Sequence, residues 1–125
     1  MKQIIATTNA PGAIGPYSQA TGYDKLVIIS GQLPIDMATG ELAQGIQAQT
    51  KASLENLKNI LLAAGSSLDN VLKTTVFLSD MNNFAEMNSV YAEYFPQNSP
   101  ARSTVEVARL PKDALVEIEC MAFKA

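Results

Sequence analysis

A guanidinium and a carboxylate near the C-terminal end are the side chains best suited to act on a small anionic guest. Arg102 lies in Pro100-Ala101-Arg102-Ser103-Thr104-Val105-Glu106. On a strand it shares a face with Thr104 and Glu106, while Ser103, Val105 and Val107 face the opposite way. Val105 and Val107 read as core, which sends Arg102 to an uncovered face. There its planar fork matches a carboxylate with two hydrogen bonds. An intersubunit or cross-strand ion pair would use the same side chain. Glu117 lies on the uncovered face of the last strand by the same alternation, and a carboxylate held in a cleft orients a water and takes its proton. Glu119 shares that face. Periodicity does not choose between the two, and a solvated strand glutamate is the plainer role.

Three further positions offer contacts. Asn88 follows Phe84 by four residues and precedes Tyr91 by three. Its amide therefore lies on the apolar side of a helix and needs partners when buried, from a ligand or from a neighbouring loop. Tyr17, after Pro16, presents a ring that walls a pocket and a hydroxyl that donates, or it is a strand tyrosine at the core rim. Ser30-Gly31 closes an apolar run, where Gly31 permits close backbone approach to a ligand or marks a turn.

Other chemistries fare worse. The chain has no histidine and one cysteine, Cys120. That removes the commonest general base and the commonest transition-metal ligand, so no metal is expected. Cys120 has no histidine to activate it as a nucleophile, and no Gly-rich loop of the phosphate-cradling type is present. A net charge of −3 argues against a life of phosphate contacts, so no nucleic acid partner is expected. No stretch approaches the roughly 20 apolar residues of a membrane span. The N-terminus carries one lysine and no long apolar region, so no secretory signal is expected. A lone cysteine cannot form an internal disulfide, which fits a reducing, cytoplasmic location.

The elements that must position these residues follow from periodicity. The 125 residues form one domain, with no repeat or linker. Residues 2–6 read as an initial strand. Asn9 to Pro16 is a Gly/Pro loop. Tyr17 to Thr21 and Leu26 to Ser30 read as paired strands around a turn at Gly22-Tyr23-Asp24-Lys25. Gly31 to Gly45 reads as a long irregular connection with a turn at Ala38-Thr39-Gly40. The helix from Ile46 to Ala64 sets Ile46, Thr50, Leu54, Leu57, Leu61 and Ala64 in one stripe, and Gly65 terminates it. Val71 to Ser79 is a strand by its β-branched content. A second helix runs from Asn83 to Phe95, started by Asn83 with Glu86 or by the rival Asp80. Arg102 to Val107 and Leu115 to Phe123 are the last strands.

This order predicts an α+β fold: one mixed sheet with both helices on one face. In the last strand Val116, Ile118, Cys120 and Ala122 suit burial under helices. Glu117, Glu119, Met121 and Phe123 point away, and no third helix covers them. Self-association would bury Met121 and Phe123 and leave polar groups in clefts; a half-wet open face is the alternative.

Several segments in order resemble one family, YjgF/RidA, the reactive intermediate deaminases. They are Ala13-Ile14-Gly15-Pro16-Tyr17-Ser18-Gln19, Ser30-Gly31-Gln32-Leu33-Pro34, Lys73-Thr74-Thr75-Val76-Phe77-Leu78 and Met87-Asn88, then Pro100-Ala101-Arg102-Ser103, Val105 to Asp113 and Val116-Glu117-Ile118-Glu119. The resemblance runs from about residue 3 to the C-terminus. It implies a chorismate-mutase-like fold and a homotrimer in which three sheets form a central barrel, with ligand clefts between subunits. It implies hydrolysis of 2-iminopropanoate and 2-iminobutanoate, products of pyridoxal-phosphate-dependent dehydratases, to 2-oxo acids and ammonia, without a cofactor. By position, Arg102 would clamp the substrate carboxylate and Glu117 would activate water. Tyr17, Ser30, Gly31, Phe84 and Asn88 would shape the pocket, and Thr104 would contribute backbone contacts. Many relatives carry cysteine at the Thr104 position, so sulfur chemistry there is put in doubt. A 2-oxo acid sensor without turnover would use the same clamp. The acidic balance and the lack of histidine weigh against the ribonuclease activity associated with some relatives.

Overall fold

The computed structural model describes residues 1–125. Its strands are β1 (Gln3–Ile5), β2 (Ala20–Tyr23), β3 (Leu26–Gln32), β4 (Ile35–Asp36), β5 (Glu41–Leu42), β6 (Val71–Leu78), β7 (Ala101–Glu106) and β8 (Val116–Phe123). Its helices are α1 (Ile46–Ala63) and α2 (Phe84–Tyr94). The main sheet has the order β1-β2-β3-β8-β6-β7, in which only β6 and β7 pair in parallel. The fold is α+β with one mixed six-stranded sheet.

Topology explains why both helices share a face. The chain crosses from β3 to β6 through α1, and from β6 to β7 through α2, moving the same way across the sheet. Right-handed crossovers in one direction place both helices on one side. The core forms there, with Leu54, Leu57 and Leu61 of α1 and Met87 and Tyr91 of α2 meeting Val76, Leu78, Val116 and Ile118 of the sheet. The stripe expected on α1 is buried throughout. Gly65, at φ 77°, ends the helix, with Ser66 N–H donating to Leu61 C=O and Gly65 N–H to Leu62 C=O.

Several boundaries differ from expectation. Tyr17 precedes β2 and lies in the loop rather than on a strand. The β2–β3 turn is only Asp24-Lys25, because Tyr23 pairs with Leu26; Asp24 sits at φ 56°, as a tight hairpin turn requires. The 31–45 connection is not wholly irregular, since β4 and β5 form a small separate hairpin. Asp80, not Asn83, caps the run into α2. Its carboxylate accepts from Asn82 N–H at 2.9 Å, opening a 3-10 turn at Met81–Asn83, and Asn83 makes no side-chain cap.

The last strand alternates as expected, with Val116, Ile118, Cys120 and Ala122 buried. On its other face Met121 and Phe123 pair with Ile28 and Leu26 of β3, and all four are exposed. No helix is long and apolar enough to cross a membrane.

The placement of Arg102 is corrected. It pairs with Thr74, and Thr104 with Val76; Thr74 and Val76 are fully buried under the helices. Arg102 and Thr104 therefore face the helix layer, and Val105 occupies the open face, 41% exposed. The reason is position: β7 is the edge strand, covered on its inner side by α2 alone, so charged side chains fit there.

Candidate functional site

Helix α2 sets Phe84, Asn88 and Tyr91 on one stripe above β7, and Arg102 rises into it. Its Nη1 donates to Asn88 Oδ1 at 2.7 Å. Its Cζ lies 4.7 Å from the Tyr91 ring centroid and 5.5 Å from that of Phe84. No carboxylate neutralises it, since the one ion pair in the chain joins Arg109 and Asp113 on the surface. Two ring faces favour the cation and hold its plane, while the amide uses one donor and leaves the rest of the fork for an anion.

Thr104 stands two residues along on the same face. Its Oγ1 is shut off from solvent and has no hydrogen-bond partner, so only its backbone is available to a ligand. A buried orphan hydroxyl costs stability. Thr104→Val is thus expected to stabilise the fold by about 1 kcal/mol, read as a higher denaturation midpoint.

The other candidates gather elsewhere. Between Ile29 and Gln32 the register of β3 against β8 slips by one residue, so Ser30-Gly31 form a β-bulge. Bulges re-aim neighbouring side chains, and here the Glu117 side chain of β8 lies against Gly31. A Cβ on Gly31 would come within 2.7 Å of Glu117 Oε2. Ser30 is committed to structure: its Oγ donates to Ser18 C=O at 2.7 Å and its N–H to Gln19 C=O at 2.9 Å. Gln19, missed in the sequence, ties down the Gly/Pro loop, with Nε2 donating to the carbonyls of Thr7 and Pro11. That loop carries Tyr17, whose hydroxyl accepts from Ile14 N–H at 3.3 Å and keeps its own proton free to donate. Tyr17, Gly31, Leu33 and Lys112 line a cavity of about 300 Å³. A larger groove of about 430 Å³ between β4 and α1 contains none of the candidates.

A polar row on α1 braces this half. Asn56 Nδ2 donates to the carbonyls of Leu33 and Ile35, and Ser53 Oγ to that of Gln32. Gln49 Oε1 accepts from Leu115 N–H at the start of β8. These residues carry no apolar signal, so periodicity passes them over.

Electrostatics separate the two glutamates. Glu119 is exposed and Glu117 half-buried. Burial, reinforced by the Glu119 charge, raises the Glu117 pKa above the ordinary carboxylate range. Burial pushes the Cys120 thiol up to about 12, which leaves it protonated and unsuited to nucleophilic attack.

The candidates thus fall into two groups, the candidate half-sites. Phe84, Asn88, Arg102 and Thr104 lie on the helix face around α2 and β7. Glu117 lies on the open face of β8 against Gly31, and Gly31 with Tyr17 lines the adjoining cavity, which Glu117 does not line; Ser30 precedes Gly31 in the bulge. β6 stands between β7 and β8. A single chain does not bring Arg102 and Glu117 onto one face.

Residues 7–124 match the family described as Endoribonuclease L-PSP. The chain is 58% identical to a RutC family protein of Pyrococcus horikoshii, over 99% of each chain. It is 50% identical to the 2-iminobutanoate/2-iminopropanoate deaminase of Salmonella typhimurium, again over 99% of each. Among solved structures it is similar to E. coli TdcF with bound serine, at a TM-score of 0.94 and 47% identity, covering 98% of this chain and 99% of that one. It is likewise similar to yeast Mmf1, at a TM-score of 0.95 and 43% identity over 100% of both chains.

Proposed function

We propose that this chain, which belongs to the YjgF/RidA family, is a deaminase that hydrolyses 2-iminobutanoate and 2-iminopropanoate in sites built between copies of itself. The observation that carries the reading is the Arg102 guanidinium, held by Asn88 and two ring faces with no carboxylate of its own. Such a group is preorganised for the carboxylate that every 2-imino acid carries. Glu117 serves as the base. It orients a water, whose oxygen adds to the imine carbon while one proton passes to the carboxylate. Protonation of the nitrogen and collapse of the adduct then release ammonia and leave a 2-oxo acid. A protonated imine is already electrophilic, so positioning supplies much of the effect, and each tenfold in rate needs only about 1.4 kcal/mol.

Because the half-sites lie on opposite faces, Arg102 of one copy works with Glu117 of a neighbour. A homotrimer that buries Leu26, Ile28, Met121 and Phe123 in its seams accommodates this arrangement. Tyr17 and the Gly31 backbone line the Glu117 side of the cleft. The test couples the protein to a threonine dehydratase with semicarbazide present. Wild type is expected to suppress semicarbazone formation, and unchanged semicarbazone yield at saturating protein overturns the proposal. The bound serine of the E. coli relative favours a second reading, a sensor of small carboxylates. Tight pyruvate binding with no effect on imine decay would select it.

Two expectations follow for Glu117. Gly31→Ala crowds its carboxylate and is expected to lower kcat about tenfold, since an ångström-scale misplacement of a catalytic group is costly. KM should change less than kcat, and stability should fall modestly, because the crowding runs from the Glu117 carboxylate back to its Cγ. The second concerns pH. Glu117 must be ionised to act, so kcat falls as pH drops through its raised pKa. Stability runs the other way: a carboxyl with a raised folded pKa favours the fold below its unfolded value and loses that increment as pH rises through the folded one. Glu119→Gln removes one cause of the shift, and a pH–rate profile should show the acid limb moved to lower pH.

A further inference from the structure

Resting on the carboxylate-clamp reading above, we propose that Tyr91 and Thr74 form a positioning pair for Arg102, in which a hydroxyl contact inside the core fixes the ring on which the guanidinium lies. Thr74 and Arg102 are register partners on adjacent parallel strands, so both side chains rise from the same level of the helix-facing side. Tyr91 descends onto them from α2. Its hydroxyl lies 2.7 Å from that of Thr74, and the two residues are 6% and 0% exposed. Phe95 packs against the ring at a centroid distance of 4.8 Å, and Arg102 Cζ lies 4.7 Å from the ring centroid. The ring is therefore held at its tip by a hydrogen bond and against an aromatic neighbour.

The need for such a device follows from what Arg102 lacks. With no carboxylate partner, its one side-chain hydrogen bond is to Asn88, and a single bond leaves the fork free to pivot. An aromatic face restricts the guanidinium plane, but only as well as the ring itself is placed. Tyr91 cannot act instead as a counter-anion, because burial raises its phenol above the ordinary value and keeps it protonated. Phenylalanine would keep the face and lose the tie at its tip. The pair thus acts on the geometry of the clamp and not on its charge.

The experiment uses the full-length chain as Tyr91→Phe, Thr74→Val, Thr74→Ser and the Tyr91→Phe/Thr74→Val double variant. Pyruvate affinity is measured by calorimetry, stability by urea denaturation, and the Arg102 Nε–H resonance by NMR. Tyr91→Phe and Thr74→Val are each expected to weaken pyruvate binding about fivefold, in line with one net hydrogen bond. Both should move the Arg102 resonance as the cation leaves its fixed place over the ring. Thr74→Ser, which keeps the hydroxyl, should retain wild-type binding. In the double variant no hydroxyl is orphaned, so stability recovers, while affinity stays as low as in either single variant because the pair works as a unit. Affinity that recovers together with stability overturns the inference, as does an unmoved Arg102 resonance with unchanged binding. If the wild type binds no pyruvate, the clamp reading fails by itself, and the resonance still decides whether the pair sets the guanidinium geometry.

Discussion

Replacing Arg102 by alanine is expected to cut kcat/KM for 2-iminobutanoate about a hundredfold or more, while the proposed homotrimer stays intact. A bidentate, charge-assisted clamp on a carboxylate is worth about 3 kcal/mol, and that loss converts to a factor of this size. Arg102 makes no ion pair inside the chain, so its removal leaves no buried charge uncompensated. What remains in the fold is Asn88, short of one donor, and two ring faces that lose the guanidinium lying over them, a loss of packing rather than of charge balance. Arg102→Lys separates charge from geometry. An ammonium keeps the attraction but offers a point contact and stacks poorly, so it should sit about tenfold below wild type. Steady-state rates from the semicarbazide competition, with sedimentation to confirm the assembly, check both variants. A full-activity Arg102→Ala protein would remove the clamp from the mechanism.

The same arginine shows what could be read from residue order and what could not. Alternation correctly groups Arg102 with Thr104 and Glu106, and Val116 with Ile118 and Cys120. It says which residues share a face, not which face that is. For the last strand the grouping sufficed, because one set is wholly apolar and only helices cover it. For β7 the apolar Val105 points the wrong way: it lies exposed on the same open face as Ile28 and Met121, in line with Phe77 and Glu117. An edge strand under the end of one helix has room for a guanidinium where a central strand has none. Family resemblance, not periodicity, selects Glu117 over Glu119. The physical basis of that selection is the Ser30-Gly31 bulge, which brings a glycine beneath one glutamate and leaves the other in solvent. A glycine inside a strand pattern is the signal for such a bulge. By spacing Tyr91 counts only toward the apolar side of its helix, and its tie to Thr74 needs the three-dimensional register of β6, β7 and α2 together.

Mixing two inactive variants is expected to restore activity. Arg102→Ala chains keep Glu117, and Glu117→Gln chains keep Arg102. If each site takes its guanidinium from one chain and its carboxylate from the next, a seam between unlike chains in one orientation receives both wild-type groups. In trimers reassembled from equal amounts, one of four equally frequent pairings is intact, so about a quarter of wild-type activity should return. The opposite pairing carries both defects and contributes nothing, and seams between like chains carry one defect each. The expectation follows from Arg102 facing α2 and Glu117 facing the open side, with β6 between their strands. Had both groups served the same guest from one chain, no mixture could assemble an intact site. Co-refolding the two variants and following 2-iminobutanoate hydrolysis against the mixing ratio gives a curve that peaks at equal amounts. A flat line at zero, from mixtures shown to exchange subunits, would mean that one chain supplies both groups or that one of them has no part in the reaction.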